Sequence, residues 1–195
     1  MNKSQVDQAT SELFQLYIRY GKSDYIGEPV SQMEHMCQAA MIAEEEGADE
    51  ELILSAFLHD IGHLFEFTRP VESMSGVGVV DHEKIAEDFL LEKGFSHRVA
   101  KLVKSHVDAK RYLTYRYPEY HQKLSDASKE TLKHQGGVMS AQEASVFESD
   151  PLFSDYLKLR SWDDRAKIKG LTLKDIQHYQ DMVKRHLTKN NPDEN

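Results

Sequence analysis

One short run of residues constrains this chain more than any other feature. The apolar stretch 52–58 is followed at once by His59 and Asp60, and then by His63. Together with Ala56, these polar residues recur at positions i, i+3, i+4 and i+7, so on a helix they share one stripe facing the core. Buried imidazole and carboxylate groups need partners, and a metal ion is a frequent one. A pair of hydrogen-bonded core histidines explains this segment equally well.

The remaining chain shows helical periodicity in one segment after another. Apolar residues recur three and four positions apart, and no segment alternates with period two for long enough to indicate a strand. Several helix starts are marked by short polar side chains, whose oxygens accept hydrogen bonds from the free amide groups of a first turn. The predicted N-caps are Ser31, Asp49, Asp81, Ser96 and Ser140. The sequence therefore predicts an all-α fold.

The periodic segments also predict how the chain is divided. We expect helices that begin near residues 5, 31, 49, 81, 96, 125, 140, 150 and 172. The aromatic segment 112–120 contains a proline and predicts an interruption between helices. At 195 residues the chain is of ordinary size for a single domain spanning 1–195. The polar end of the chain predicts a disordered tail from about residue 189.

Composition argues against several classes of partner. A net charge of −9 is unfavourable for a nucleic-acid surface, which normally carries a basic stripe. No apolar stretch has membrane-spanning length, and the N-terminus lacks the apolar core of a signal peptide. The single cysteine, Cys37, excludes a disulfide framework and predicts a reducing cytoplasm. We expect a cytoplasmic protein that binds neither nucleic acid nor membrane, and the sequence leaves its oligomeric state open.

Several polar residues interrupt otherwise apolar helical stripes. One histidine on an apolar face is more often a hydrogen-bonded core residue than a ligand, but here the set is spread over separate helices. Its members are His35, His59, Asp60, His63, His82, His106, Lys110, Arg160 and Asp163. Imidazole and carboxylate ligands without thiolates suit iron, manganese, zinc or magnesium. An aspartate between two groups of histidines can also bridge two metal ions.

Four stretches of the chain resemble a known family. They are residues 25–32, 58–64, 128–137 and 159–164. The order of a histidine, a His-Asp pair and a distal aspartate resembles the HD-domain superfamily, and His82 and His106 resemble its two-metal branch. Within that branch, the sequence is most similar to small mixed-valent di-iron oxygenases that cleave organophosphonates, which are relatives of myo-inositol oxygenase. This resemblance implies an HD-domain helical bundle and extends over about residues 13–169.

The resemblance also implies a set of metal ligands. One iron ion would be held by His35, His59, Asp60 and Asp163. The second would be held by Asp60, His82 and His106, so Asp60 would bridge an Fe(II)/Fe(III) pair. Asp163 is followed directly by Asp164, and spacing alone does not decide between them. Alignment with the family motif favours Asp163.

Substrate and product classes follow from the same resemblance. It implies that dioxygen is used to cleave the carbon–phosphorus bond of 2-amino-1-hydroxyethylphosphonate or its N-trimethyl analogue. The products would be phosphate and either glycine or glycine betaine. The predicted substrate-binding residues are Glu28, Gln32, His63, Lys110, Ser128, Thr131 and Arg160. The predicted catalytic residues are Tyr25, Glu28, His63 and Lys110.

Individual roles within that set also come from the family. His63, Lys110, Ser128, Thr131 and Arg160 would hold the phosphonate oxygens, because ammonium, guanidinium and hydroxyl donors bind a dianion strongly. Tyr25 and Glu28 would lie in a loop that covers the iron. Glu28 would bind the amino group of the substrate, and the sequence shows no structural duty for it.

Two other functions remain open at this stage. An HD-domain phosphohydrolase would use the same metals to activate water against a phosphate ester or a nucleotide, and it would need no oxygen. A non-catalytic, metal-dependent binding or regulatory protein is a further alternative.

Overall fold

Helices make up the framework of the protein. The computed structural model describes residues 1–25, 27–74 and 76–191. The helices are α1 (Lys3–Tyr20), α2 (Gln32–Glu45), α3 (Glu50–Leu58), a 3-10 helix (Ile61–Phe67), α4 (His82–Glu92), α5 (His97–Arg116), α6 (Pro118–Lys123), α7 (Asp126–His134), α8 (Ala141–Glu148), α9 (Phe153–Arg165) and α10 (Ile176–Asn190). In the described ranges, extended pairing is limited to two isolated bridges, Asp24 with Ser31 and Ser73 with Val79. The predicted all-α fold is confirmed.

Most predicted helix starts are confirmed by their capping hydrogen bonds. The hydroxyl of Ser31 accepts from the amide of Glu34, whose carboxylate accepts from the amide of Ser31. Side-chain caps are also present at Asp49, Ser96, Ser125 and Ser140. Asp81 is an exception, because its backbone is left-handed with φ of 52° and its side chain makes no capping bond.

The His-Asp pair lies just beyond α3, and the expectation that the helix carries it was wrong. His59 is the C-cap of α3, and Asp60 leaves helical geometry with φ of −103° and ψ of 8°. The chain then tightens into the 3-10 helix, where it runs directly against the start of α4. A Cβ atom on Gly62 would lie 1.9 Å from the carbonyl oxygen of His82. This close backbone contact accounts for the glycine at position 62.

Boundaries in the C-terminal half differ from the expectation as well. α5 continues to Arg116 through most of the predicted interruption, and α10 begins after its N-cap Asp175. The tail also begins later than expected, because α10 continues to Asn190. The side-chain amide of Asn191 donates to the carbonyl of Gly94 at 2.7 Å. Residues 192–195 of the predicted tail lie outside the described residues.

A single large core surrounds α3 and fixes the residues that follow it. The rings of Tyr17 and Phe57 stack with centroids 4.7 Å apart, and Phe57 stacks on Tyr179 at 4.5 Å. The hydroxyl of Tyr17 donates to the carbonyl of Phe57 at 2.6 Å. Burial of each such ring contributes about 1.5–3 kcal/mol. The end of α3 is therefore held rigidly at the centre of the bundle, where α2, α5 and α9 pack around it.

Among the described helices, none has the length and apolar composition needed to cross a membrane.

Candidate metal centre

Two pairs of histidines meet at the centre of the bundle. Nε2 of His35, from the first turn of α2, lies 3.0 Å from Nε2 of His59. Nε2 of His82, at the start of α4, lies 3.0 Å from Nε2 of His106 on α5. All four residues are buried. Four segments that are distant in sequence thus bring their imidazole nitrogens together.

Asp60 lies between these pairs and faces both. Its Oδ2 atom lies 3.5 Å and 3.4 Å from Nε2 of His35 and His59. Its Oδ1 atom lies 3.3 Å and 3.4 Å from Nε2 of His82 and His106. One carboxylate therefore presents a separate oxygen to each histidine pair, as a bridging ligand of two metal ions does.

The first histidine pair is completed by Asp163 on α9. Oδ1 of Asp163 lies 3.3 Å from Nε2 of His35, and its Oδ2 accepts a 2.7 Å hydrogen bond from Arg160. Asp164 points elsewhere and binds Arg160 and the hydroxyl of Tyr120. Of the two aspartates between which spacing left the choice open, Asp163 is therefore the one that lies beside the histidines.

Hydrogen bonds on the far side of three imidazoles determine which nitrogen faces inward with a free lone pair. Nδ1 of His35 is 2.9 Å from the carbonyl of Ala166. Nδ1 of His59 and of His106 lie 2.9 Å and 2.6 Å from carbonyl oxygens of their own helices. A carbonyl only accepts, so each Nδ1 carries the proton and each neutral ring keeps its lone pair on Nε2. Metal-binding histidines are oriented in this way.

These residues fit two cations. Facing imidazole nitrogens at 3.0 Å require a proton or a cation between them. Two nitrogens that each lie about 2.1 Å from one ion, at right angles, are about 3.0 Å apart. Oδ2 of Asp60 is buried and lacks a hydrogen-bond partner among the described residues. The donor set therefore suits two bridged metal ions.

The charges of the centre agree with this interpretation. Burial alone would raise the pKa of Asp60, but the imidazoles of His59 and His106 outweigh burial and hold that pKa well below its usual range. Burial lowers the pKa of His35, but the carboxylates of Asp163 and Asp60 outweigh burial and raise that pKa to about 9. Without a metal, a proton thus takes the cation's place on His35, and metal binding must displace it.

His63 lies beside the centre in a less defined position. Its ring stacks on His82 with centroids 3.9 Å apart. Its Nε2 lies 4.0 Å from Oδ1 of Asp60. One ligand atom each from Asp60, His63 and His82 fall within 4.8 Å of one another, so distance alone makes His63 a rival ligand for the second ion.

A small cavity of about 50 Å³ opens onto the metal centre. Because about 10–15 Å³ of such volume holds one water, the cavity admits a small molecule of a few heavy atoms. The sequence-predicted residues that line it are Tyr25, Glu28, Gln32, Asp60, His63, His82, His106, Lys110, Ser128, Thr131, Arg160 and Asp163. The ligand candidates His35 and His59 lie behind this wall.

One side of the cavity is rich in hydrogen-bond donors. Lys110 lies one turn beyond His106 on α5 and donates to the hydroxyl of Thr131 on α7 at 2.9 Å. Burial, followed by the charge of Arg160, lowers the pKa of Lys110 to about 7. The guanidinium of Arg160 also donates to the hydroxyl of Tyr120 at 2.8 Å. α5, α7 and α9 together form a wall that suits an anion.

The loop before α2 and the start of α2 form another part of the cavity lining. The ring of Tyr25 stacks on His35 with centroids 4.2 Å apart. Burial and the carboxylates of Asp60 and Asp163 raise the pKa of the Tyr25 phenol well above its usual range. Gln32 is buried, and its Oε1 has no hydrogen-bond partner among the described residues.

Other residues of the cavity were not predicted as site residues. Glu66 and Gln135 both line it, and the Oε1 atom of Gln135 is buried without a hydrogen-bond partner in the described part of the chain. Gln135 lies in a stretch that carried the family resemblance, so that stretch was an available signal. Glu66 follows the His-Asp run within the 3-10 helix, and no sequence pattern marks it.

Comparison with known proteins adds to this geometry. Residues 33–148 match the family model of the HD domain. The chain is 40% identical to the [1-hydroxy-2-(trimethylamino)ethyl]phosphonate dioxygenase (glycine-betaine-forming) of Leisingera caerulea, over 89% of this chain and 88% of that protein. It is 37% identical to the hydroxymethylphosphonate dioxygenase of Gimesia maris, over 92% and 88%. It is 46% identical to the uncharacterized protein L432 of Acanthamoeba polyphaga mimivirus, over 96% and 85%.

Proposed function

This chain belongs to the HD-domain family, and on that basis we propose that it is a di-iron oxygenase that uses dioxygen to cleave the carbon–phosphorus bond of a 1-hydroxyalkylphosphonate. The observation that carries the proposal is the position of Asp60, whose two oxygens face two separate histidine pairs. The names of two relatives, both phosphonate dioxygenases, supply the reaction class.

The metal ligands that we propose are those that the family resemblance implied. His35, His59 and Asp163 would hold one ion, His82 and His106 the other, and Asp60 would bridge them. Nitrogen and carboxylate ligands that leave coordination positions open are typical of non-haem iron oxygenases. When bound, an Fe(II)/Fe(III) pair would supply the electrons that activate dioxygen and would polarise the hydroxyl group of the substrate.

The hydrogen-bond donors of α5, α7 and α9, which we call the donor wall, would bind the phosphonate group. They are Lys110, Ser128, Thr131 and Arg160. Lys110, Ser128 and Thr131 present an ammonium and two hydroxyls on neighbouring faces of the cavity. Arg160 has five N–H groups, and three of its nitrogens already donate to Tyr120, Asp163 and Asp164. At most two of its N–H groups remain for the substrate, so Arg160 serves both the metal ligand Asp163 and the anion. A cavity of about 50 Å³ suits a small phosphonate better than a nucleotide.

The finer choice of substrate is 2-amino-1-hydroxyethylphosphonate or its N-trimethyl analogue. Glu28 and Tyr25 line the same cavity as the donor wall. A carboxylate can pair with a cationic nitrogen, and an aromatic face adds a cation–π contact. Oxygenation of the carbon that carries the hydroxyl would then release phosphate, with glycine or glycine betaine as the other product.

The reaction class is tested by comparing turnover with and without dioxygen. For iron-loaded protein, we expect one phosphate released per dioxygen consumed, with glycine or its N-methylated form recovered. Release of phosphate at the same rate under argon, or hydrolysis of a nucleotide or phosphate ester, would assign the protein to the phosphohydrolases instead.

The metal content is tested separately by elemental analysis. We expect about two iron ions per chain, and the loss of one in His82→Ala or His106→Ala. His186→Ala is a matched control, because His186 is buried outside the centre and accepts from the amide of Ser96 at 3.1 Å. Full activity with a single zinc ion would contradict the di-iron assignment.

A further inference from the structure

We propose that the turn formed by Gly78 and Val79 holds His63 as a hydrogen-bond donor toward the cavity and thereby keeps it from binding metal. Distance alone leaves His63 a rival ligand, since its Nε2 approaches Oδ1 of Asp60 to 4.0 Å. The part of this proposal in which the N–H group of His63 binds a phosphonate oxygen rests on the proposed function. The position of the proton on the ring is independent of that function.

The hydrogen bond on the far side of His63 runs opposite to those of the metal-facing histidines. The backbone amide of Val79 donates to Nδ1 of His63 at 3.1 Å. An amide N–H can only donate, so Nδ1 must keep its lone pair. A neutral imidazole carries one proton, which then resides on Nε2. A protonated nitrogen cannot coordinate a cation, whereas it can donate to an anion.

The contrast with the other imidazoles is direct. The Nδ1 atoms of His35, His59 and His106 all lie against carbonyl oxygens, which require a proton on Nδ1. Those rings present a lone pair to the centre, and His63 presents an N–H. The partner of Nδ1 thus separates three of the four proposed histidine ligands from the donor, although these rings are buried in one cluster.

Gly78 makes the approach of this turn possible. Its φ is 127°, and a Cβ atom there would lie 2.7 Å from Cε1 and 3.2 Å from Nδ1 of His63. The backbone therefore passes directly against the edge of the ring. The turn is itself fixed, because the amide of Met74 donates to the carbonyl of Gly78 at 2.8 Å. On the other face, His82 stacks on the ring at 3.9 Å and limits its rotation. Gly78 and Val79 are thus positioning residues that act through His63.

The protonation of the ring can be measured without turnover. In zinc-loaded protein with 15N-labelled histidine, we expect His63 to show a protonated Nε2 and an unprotonated Nδ1, with its signals assigned by their loss in His63→Gln. His35, His59 and His106 should show the reverse. A protonated Nδ1 on His63, or a zinc-bound Nε2, would overturn the proposal whatever the protein's substrate is.

The positioning role is tested by a pair of glycine variants in the same loop. Gly78→Ala pushes a methyl group against the ring. Gly76→Ala is the matched control, because Gly76 also has a positive φ, of 85°, but a Cβ there meets nothing within 4 Å. With methylphosphonate as the probe and zinc-loaded protein, we expect Gly78→Ala to bind about tenfold more weakly or worse, with two zinc ions retained. Gly76→Ala should bind as the wild type does.

Substitution of His63 separates donor from ligand. We expect His63→Leu to keep two zinc ions and lose methylphosphonate binding, and His63→Gln, whose amide nitrogen replaces Nε2–H, to recover part of it. Loss of a zinc ion in His63→Leu, or unchanged binding in both Gly78→Ala and His63→Leu, would overturn the proposal. Failure of the proposed function alone would appear differently, as the expected ring protonation in a protein without oxygen-dependent phosphate release.

Discussion

Lys167 donates a 2.6 Å hydrogen bond to Oε1 of Glu28, the carboxylate that the family resemblance assigned to the amino group of a substrate. The hydroxyl of Ser125 donates to the same oxygen at 2.6 Å. Ser125 is the N-cap of α7, the helix that carries Ser128 and Thr131. The expectation that Glu28 has no structural duty was therefore wrong, because it ties the loop before α2 to the donor wall.

The first prediction concerns Glu28→Gln. We expect this variant to keep both metal ions but to lose about tenfold or more of its preference for 2-amino-1-hydroxyethylphosphonate over 1-hydroxyethylphosphonate. A hydrogen bond to a charged group is worth about 1.5–3 kcal/mol, and about 1.4 kcal/mol is tenfold. The measurement is the ratio of kcat/KM for the two substrates.

Lys167→Met is the control for Glu28→Gln. It removes the protein partner of Glu28 without changing the carboxylate, so the preference for the amino substrate should be retained or increased. If Glu28→Gln leaves the ratio at its wild-type value, Glu28 does not bind the amine, and its bonds to Lys167 and Ser125 are its whole role.

Gly62→Ala tests why glycine occupies the His-Asp run. A Cβ at this position would lie 1.9 Å from the carbonyl oxygen of His82, and backbone cannot yield as a flexible side chain does. We expect His82 to be displaced, with loss of one metal ion and destabilisation of about 1–3 kcal/mol, as in other overpacked cores. Metal analysis and urea unfolding measure the two effects. Gly47→Ala is the control for metal content alone, since a Cβ there meets nothing within 4 Å but its φ of 73° also disfavours alanine. Equal metal content in both variants would contradict the close-contact argument.

The pKa of Lys110 predicts a pH dependence. Burial and the charge of Arg160 lower this pKa to about 7, so the ammonium is present below pH 7 and is lost as the pH rises through it. Because kcat/KM reports the free enzyme, we expect it to fall above about pH 7. Lys110→Arg keeps its charge and should not show this fall. A fall of the same size in Lys110→Arg would assign the titration to another group.

The lowered pKa of Lys110 also makes stability depend on pH, and stability should rise over the pH range in which kcat/KM falls. An unfolded lysine holds its proton up to about pH 10, so between about pH 7 and 10 the unfolded chain binds more protons than the folded one. The contribution of Lys110 to the free energy of unfolding therefore increases with pH in this window, so the folded protein becomes more stable. Urea unfolding of wild type and Lys110→Met across the window measures it.

Arg160→Lys should weaken every phosphonate alike. One ammonium cannot replace a guanidinium that donates to Asp163 at 2.7 Å and to Tyr120 at 2.8 Å while facing the cavity. We expect kcat/KM to fall about tenfold or more for amino and des-amino substrates together, with weaker metal retention because Asp163 loses its partner. Arg165→Lys is the control, since Arg165 pairs with Glu46 on the surface. A change in the ratio between the two substrates would show that Arg160 takes part in amine selection.

Local features of the chain were predictable from the sequence. The caps at Ser31, Asp49 and Ser96 depend on hydrogen bonds to amides three residues away, so they are written in short segments. The all-α fold follows from periodicity in the same way. The histidines and aspartates of the centre were recognisable because charged and imidazole groups on apolar stripes are unusual and need partners.

What required the tertiary structure is the identity of each partner. Gly62 packs against the backbone of His82, twenty residues further along the chain, and no pattern in the sequence shows that contact. Spacing could not separate Asp163 from Asp164, because which of two neighbouring side chains on a helix points toward the centre depends on how the helix packs. Glu28 accepts a hydrogen bond from Lys167, which is 139 residues away in the sequence. The sequence shows that a histidine can donate or accept a hydrogen bond, but which ring nitrogen carries the proton depends on the group that contacts the other nitrogen. For His63 that is an amide sixteen residues away, brought there by the packing of a glycine turn.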